Sequence, residues 1–469
     1  MIQIHKLIFL VIMELLTIAP LYYGLNSKTK KKLTSEQVCR LILLSGAILR
    51  IFYIMYSPAQ DRQHDVFQVL KNGHFDYIEY LLENKHLPDF SPKNKWQFYQ
   101  PPLHHIICAV FIGLIQKIGI SDRITQIELL QTLPCAYSII FNIIAYKTLK
   151  NMKLKEVSIE TSLLFITFYP MLIILSGSLN NDMLSSLFGM LAIYCTINWI
   201  ETKKISDIIK IALSIGLGMM TKLSVGLLAP SIAAVFLYVL IKNNKIYKKL
   251  ITQFFTFGLI CIPIGMFWYV RNYIKFKIPL NYIPSPVKTD PEPITETYLK
   301  RFLDFTIETP FVQMINDNIN CMRNDVNPLI LLCKTAMFDE VVSDTGTLKN
   351  IAILLFTVCL LITILFTILF FYIMFKRNSI KHEYKMLITL ISVVIIINEL
   401  IFCYNYPFIC TANMRYCIPL IFVQGFIIAS VQDQPENKII NSTIKNLITV
   451  FCILSITYHS LLIFTISIV

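Results

Sequence analysis

Long apolar runs recur along almost the whole of this 469-residue chain. A run of about 18 residues or more with few charges is the mark of a helix crossing a hydrocarbon core roughly 30 Å thick. Composition agrees, with 55% hydrophobic and 15% charged residues and a mean hydropathy of +0.61, where a soluble domain carries about 25% charged residues. Transmembrane β-barrels are excluded, because they show short alternating segments instead of long apolar runs. Such runs exclude disorder as well. The expected fold is an all-α polytopic membrane protein with about 12 transmembrane helices. The spans fall near 7–24, 38–56, 127–147, 158–176, 183–200, 207–221, 224–241, 251–269, 350–375, 385–402, 413–431 and 446–467.

The excess of 42 Lys+Arg over 29 Asp+Glu does not point to nucleic acid, because the lysines sit in short loops between apolar runs. One loop holds Lys28, Lys30, Lys31 and Lys32, and another Lys147, Lys150, Lys153 and Lys155. Lys203, Lys204 and Lys210 follow, then Lys242, Lys245, Lys248 and Lys249, and later Lys376, Arg377, Lys381 and Lys385. The short loops of opposite parity (177–182, 221–223, 403–412) hold only Lys222. Loops rich in Lys and Arg face the cytoplasm, so both termini and two long segments, 57–126 and 270–349, are expected outside. Residues 103–118 are apolar but short for a crossing, and counting them as a span would reverse every later loop. They are expected to lie at or dip into the outer interface, beside an amphipathic helix near 73–84 with Phe75, Ile78, Leu81 and Leu82 on its apolar face. The first span is expected to be retained: only Lys6 precedes it and no small-residue cleavage site follows.

Four parts follow from this pattern. Residues 1–37 form an extra N-terminal helix with a basic loop, and 38–269 a transmembrane module that includes the external loop 57–126. Residues 270–349 form the second external segment, and 350–469 the C-terminal helices. The twelve cysteines include no C-x-x-C pair and mostly lie in apolar runs, which suits packing. Cys321 with Cys333, or Cys403 with Cys410, could pair in an oxidising compartment; the spacing leaves this open.

Polar chemistry gathers in the external loops and at the helix ends facing them. Five of the eight histidines, His64, His74, His86, His104 and His105, lie in the first loop with several acids. Most of these suit a solvated loop. Asp65 differs, because it stands at the mouth of the bundle just past the 38–56 span, where burial can tune a carboxylate for proton transfer. The turn SGSLNNDMLSS pins Asn180, Asn181 and Asp182 to the same side. Capping explains one such residue well and three in a row less well. Lys222, Arg271, Lys334 and Arg415 are cations embedded in or beside apolar runs, where charge is costly and usually functional; snorkelling to the interface is the plainer alternative. Cations facing two carboxylates suit a phosphate-bearing lipid.

These segments resemble a family. HDV, GHFDYIEYLLENKHLP and FYQPPLHH are similar to the first external loop of dolichyl-phosphate-mannose protein mannosyltransferases and of lipid A aminoarabinose transferases. SGSLNNDML, GLGMMTKLSVGLLAP, PIGMFWYVRNYIKFKIPLNYIP, LLCKTAMFDE and PFICTANMRYCIP continue the resemblance, in order, over roughly 38–430. It is to the GT-C superfamily, multi-span enzymes that use polyprenyl-phosphate-linked sugars. The resemblance implies an enzyme moving a sugar from a polyprenyl- or dolichyl-phosphate donor to an acceptor of unknown identity. It implies a multi-pass protein of the endoplasmic reticulum or plasma membrane with an external or lumenal site. Asp65 and Asp182 match the family's acidic positions, with Asp65 as general base in an inverting displacement. Arg271, Lys334, Arg415 and Lys222 would hold the donor phosphate, and His64, His74, Tyr99 and His104 would contact the acceptor or shape the loop. Two positions depart from the common pattern: His64 precedes Asp65 where many members have an Asp-Glu pair, and only Asp182 is acidic in the second turn. No metal or other cofactor is assigned; a divalent cation is the alternative, against which the shortage of carboxylates counts. The competing readings are a multi-span lipid or solute transporter, or an inactive family member acting as a binding partner. Nucleic acid is not an expected partner.

Glycosylation mapping tests the orientation. The sequon Asn441-Ser442-Thr443 lies in a loop assigned to the cytoplasm, so Asn441 stays unmodified in a eukaryotic secretory pathway, while a sequon engineered into 270–349 is glycosylated. Glycan on Asn441 means a miscounted span near the C-terminus, and an unmodified engineered site in a well-expressed protein inverts the topology.

Overall fold

The computed structural model describes residues 2–25, 33–59, 73–284, 293–313, 325–342, 346–376, 380–434 and 438–466. Every expected span coincides with helix, and the only β pairing among the described residues is an isolated bridge between Pro293 and Phe408. The chain is an all-α polytopic membrane protein. Among the described residues, eight helices are long and apolar enough to cross a membrane, or ten when two bent pairs count as single spans. The expected twelve is not reached on that measure; Ile205–Met219, at 15 residues, is one of the shorter elements.

Helix ends follow local chemistry. Ser35–Tyr56 opens with a capping box in which the Thr34 side chain accepts from Gln37 and the Gln37 side chain from Thr34. The two bent spans break at proline. Glu156–Thr167 is followed at 60° by Pro170–Gly177, and Ile409–Tyr416 by Pro419–Gln432 at 52°. A proline lacks the N–H a continuing helix needs, and the residue before it is often pushed toward extended backbone; Tyr169, at φ −67° and ψ 122°, shows this, whereas Ile418, before Pro419, stays helical at φ −48° and ψ −39°. No such broken spans were expected from the sequence, because each fragment is apolar enough to merge with its neighbour.

The bent spans pack against each other through Gly425. The Ser162 hydroxyl donates to its carbonyl at 2.7 Å, and a Cβ there would stand 2.5 Å from Ile166 Cδ1. This approach holds the two breaks together at one end of the bundle.

The lysine-rich loops meet at the other end. Glu201 takes Lys153 at 3.3 Å and Lys381 at 2.5 Å, with Tyr384 also donating. Lys150 pairs with Glu36, Lys242 with Glu383, and Lys155 bonds to Asp433. Asp182 and Glu201 lie near opposite ends of one 21-residue helix, Asp182–Thr202, which spans about 30 Å at 1.5 Å per residue. Among the described residues, the later basic loops therefore group at one end, with Asp182 at the other, while Lys28, Lys30, Lys31, Lys32 and Arg377 lie outside the described residues.

There the helices His74–Asn84 and Leu103–Lys117 form a cap. Phe75, Ile78 and Leu81 are buried against Cys108, Ala109 and Ile112, as the amphipathic pattern requires. Leu103–Lys117 also exposes Ile106, Val110 and Leu114, with Ile118 just beyond, in a row of i, i+4 spacing. A helix apolar on two sides packs on protein with one and on lipid with the other. It is interfacial. Cys333 and Cys403 form no disulfide, while Cys321 lies outside the described residues.

Widening Gly425 tests the packing of the bent spans. Gly425→Val forces Ile166 and Ser162 aside, and overpacking of this kind costs about 1–3 kcal/mol. Thermal unfolding in detergent reads the loss; an unchanged midpoint contradicts this contact.

Candidate active site

Three of the predicted residues converge. Asp182 is the first residue of its helix and is buried. Its carboxylate accepts from Lys222 Nζ, whose side chain is 16% exposed. Lys222 also lies 4.6 Å above the centre of the Tyr416 ring, and the Arg415 guanidinium lies 5.2 Å from the same ring. Arg415 further donates to the Tyr416 hydroxyl at 3.2 Å. Two cations thus share one aromatic ring at the bundle's polar end, held by cation–π attraction and, for Lys222, by the Asp182 carboxylate.

The run Asn180–Asp182 is more than a cap. Asn180 Oδ1 accepts from the Asp182 amide at 3.0 Å, which is the capping role. Asn181 donates to Gln100 Oε1 at 3.0 Å and to the Thr221 carbonyl at 2.7 Å. Because Thr221 precedes Lys222, Asn181 fixes the backbone that carries the cation to Asp182. Gln100 ties the first external loop into the same network.

Histidines from that loop form the site's wall. His74 Nδ1 and His105 Nε2 share a hydrogen bond of 2.9 Å, and His104 Nε2 donates to the Leu179 carbonyl at 2.9 Å. All three are buried. Burial pushes His74 down to about 3 and His104 to about 4, and His105 lies well below the ordinary value, because desolvation disfavours the charged ring.

Other predicted residues are engaged elsewhere. Arg271 donates to the Pro88 carbonyl at 2.5 Å and to Asn272 at 2.9 Å, and stacks 5.0 Å from Trp268. Trp268 in turn donates to the Tyr99 carbonyl at 2.9 Å, and the Tyr99 hydroxyl accepts from Gln100 at 2.7 Å. Arg271 and Tyr99 thus fasten the first loop to the helix Tyr247–Phe276. Lys334 is fully buried and donates to both oxygens of Asp325 at 2.9 and 2.7 Å. His64 and Asp65 lie outside the described residues.

Sequence reasoning missed Tyr416, His105, Asn181's bridging role, and two acids. Glu340 stands 3.8 Å from Arg415, and Asn413 donates to Asp339 at 2.8 Å and to Glu340 at 3.1 Å. Both acids were in view in LLCKTAMFDE, but nothing in that segment indicates its proximity to Arg415. Among the described residues, no three or more His, Cys, Asp or Glu side chains group as a metal site.

Residues 100–268 match the model of the dolichyl-phosphate-mannose-protein mannosyltransferase family, a stretch that includes Gln100, His104, Asn181, Asp182 and Lys222. In fold the chain is similar to the crystal structure of the Archaeoglobus fulgidus oligosaccharyltransferase in its apo form. That similarity has a TM-score of 0.50 at 13% identity and covers 92% of this chain and 56% of that one. The chain therefore spans little more than half of that enzyme. ArnT from Cupriavidus metallidurans, also apo, aligns at 9% identity over 85% of this chain and 78% of its own, with a TM-score of 0.40. No curated protein matches in sequence. The fold is that of an all-α multi-pass membrane protein, and over residues 100–268 the chain is similar to the dolichyl-phosphate-mannose-protein mannosyltransferases.

The buried histidines generate a pH prediction. Below about 6.5 the unfolded chain binds protons at His74 and His104 that the folded chain refuses until about 3 and 4. Stability contributed by these rings is therefore full above about pH 6.5 and falls as pH drops toward 4. Unfolding midpoints measured between pH 7.5 and 4.5 should decline, and less steeply in His74→Phe. A flat profile contradicts the buried, neutral placement.

Proposed function

We propose that this protein transfers a sugar from a polyprenyl-phosphate carrier to an acceptor on the external or lumenal face. The observation that carries the reading is the meeting of Asp182, Lys222 and Arg415 around Tyr416 at the end of the bundle opposite the lysine-rich loops. The match of residues 100–268 to the mannosyltransferase family model supports the reaction class.

A lipid-phosphate leaving group gains negative charge as the glycosidic bond breaks. Cations already oriented toward it stabilise that charge without reorganising. Lys222 and Arg415 suit this role because each is held by a carboxylate and by one ring. Arg271 and Lys334 also have protein partners, and in this reading they fix the external segments. Asp182 keeps Lys222 compensated before the donor arrives, when an unpaired buried cation would be costly.

Asp65 is the general base in this reading, taking the acceptor hydroxyl's proton as its oxygen attacks the anomeric carbon. The acceptor's C–O bond forms as the sugar–phosphate bond breaks, the lipid phosphate leaves, and the configuration inverts. Its place in the sequence, shortly after the 38–56 span and within the first external loop, supports this role. The apolar grooves between helices take the lipid tail, and the cap of His74–Asn84 and Leu103–Lys117 excludes water from the reacting atoms.

Asp65→Asn preserves shape and removes the base, so transfer in membranes falls about 10²–10⁴-fold with folding intact. Near-normal turnover in that variant rules Asp65 out. Lys222→Met should raise the donor KM, and a variant with unchanged donor kinetics removes Lys222 from the phosphate site.

A further inference from the structure

The turn after the helix Pro328–Phe338 holds a non-glycine residue in a glycine conformation. Asp339 has φ 53° and ψ −137°, in the mirror-image β region that side chains avoid. The Val341 amide donates to the Phe338 carbonyl at 3.2 Å, closing a four-residue turn with Asp339 at its first central position. That is type II′ geometry, where glycine is the favoured residue. Strain of this kind persists only where surrounding contacts over-determine it, and such residues cluster at functional sites.

The surrounding contacts lead to Arg415. Asn413 Nδ2 donates to both Asp339 and Glu340, while Asn413 Oδ1 accepts from the Arg415 amide at 3.0 Å. Glu340 faces the Arg415 guanidinium at 3.8 Å, each side chain being about one-tenth exposed. Thr335, on the same short helix, accepts from the Met414 amide at 3.0 Å. The second external segment is thus stapled onto residues 413–415 at consecutive points, and the strained turn delivers its two acids there.

We propose that Asp339 and Glu340 form a strained acidic arm that positions Arg415, holding its guanidinium beside Tyr416 and turned toward the site. Both are positioning residues, acting through Asn413 and Arg415. For the anion that Arg415 meets, a lipid-linked phosphate, the proposal rests on the function proposed above.

The strain sets stability against function in a way that a structural role does not. Asp339→Gly removes the strain, so its unfolding midpoint is equal to or above wild type, yet the arm is lost. Arg415 reactivity reports on the arm without needing a substrate. In purified full-length protein in nanodiscs, phenylglyoxal labelling of Arg415, read by mass spectrometry, should be slow in wild type. It should be several-fold faster in Asp339→Gly and Glu340→Gln, and restored to near the wild-type rate in Glu340→Asp, which keeps the charge. Equal rates in wild type, Asp339→Gly and Glu340→Gln overturn the proposal, as does a lower midpoint in Asp339→Gly. Repeating the labelling with dolichyl phosphate separates the two readings. Protection of Arg415 in wild type that weakens in Glu340→Gln supports both. Arm-dependent labelling without protection leaves the arm standing and removes the phosphate assignment.

Discussion

A half-buried lysine at the end of an apolar bundle needs a partner, and the site is organised around the buried carboxylate that Lys222 has in Asp182. Removing one member of such a pair costs about 3–5 kcal/mol, because the other stays desolvated. Asp182 therefore has to reach Lys222, and the chain supplies the geometry through two proline-broken spans. The break before Pro170 leads into the turn that begins the Asp182 helix. The break before Pro419 leaves Arg415 and Tyr416 just short of the next helix. Irregular backbone at membrane depth is tolerated only where protein or a polar cavity satisfies it, and here the network of Asn181, Gln100, Asn413 and Thr335 does so.

Close packing of the broken spans on each other makes that end of the molecule a unit. The Ser162–Gly425 contact fixes their separation, and the external segments then dock on the result. One is held through Gln100 and His104, the other through Thr335, Asp339 and Glu340. The opposite end carries the lysine-rich loops, linked by Glu201, Glu36, Glu383 and Asp433. One end holds matched charges; the other is a basic rim. Under the proposed function, this asymmetry suits a transferase acting on one leaflet.

Much of the fold was legible because crossing a bilayer imposes a length and composition on each helix. Spans, basic loops and the amphipathic cap follow directly from that constraint. The breaks were not legible, since Pro170 and Pro419 sit in apolar surroundings that read as continuous. At the site, Asp182, Lys222 and Arg415 could be picked out because each is a charge placed where water is scarce. The same signal selected Arg271 and Lys334, whose partners are the Pro88 carbonyl and Asp325. Nothing periodic in the long external segments reveals such pairings. Asp339 and Glu340 escaped notice for a related reason: their importance lies in a backbone conformation that ordinary residue preferences argue against.

The central claim is that Lys222 and Arg415 form one site for a lipid-linked phosphate. Cryo-electron microscopy of the full chain in nanodiscs loaded with dolichyl phosphate tests it most directly. The account predicts phosphate density within hydrogen-bond reach, about 3 Å, of both Lys222 Nζ and the Arg415 guanidinium, with the lipid tail in a groove between helices. Phosphate density at Arg271, or among the lysine-rich loops at the opposite end, with Lys222 and Arg415 contacting only protein, would contradict it.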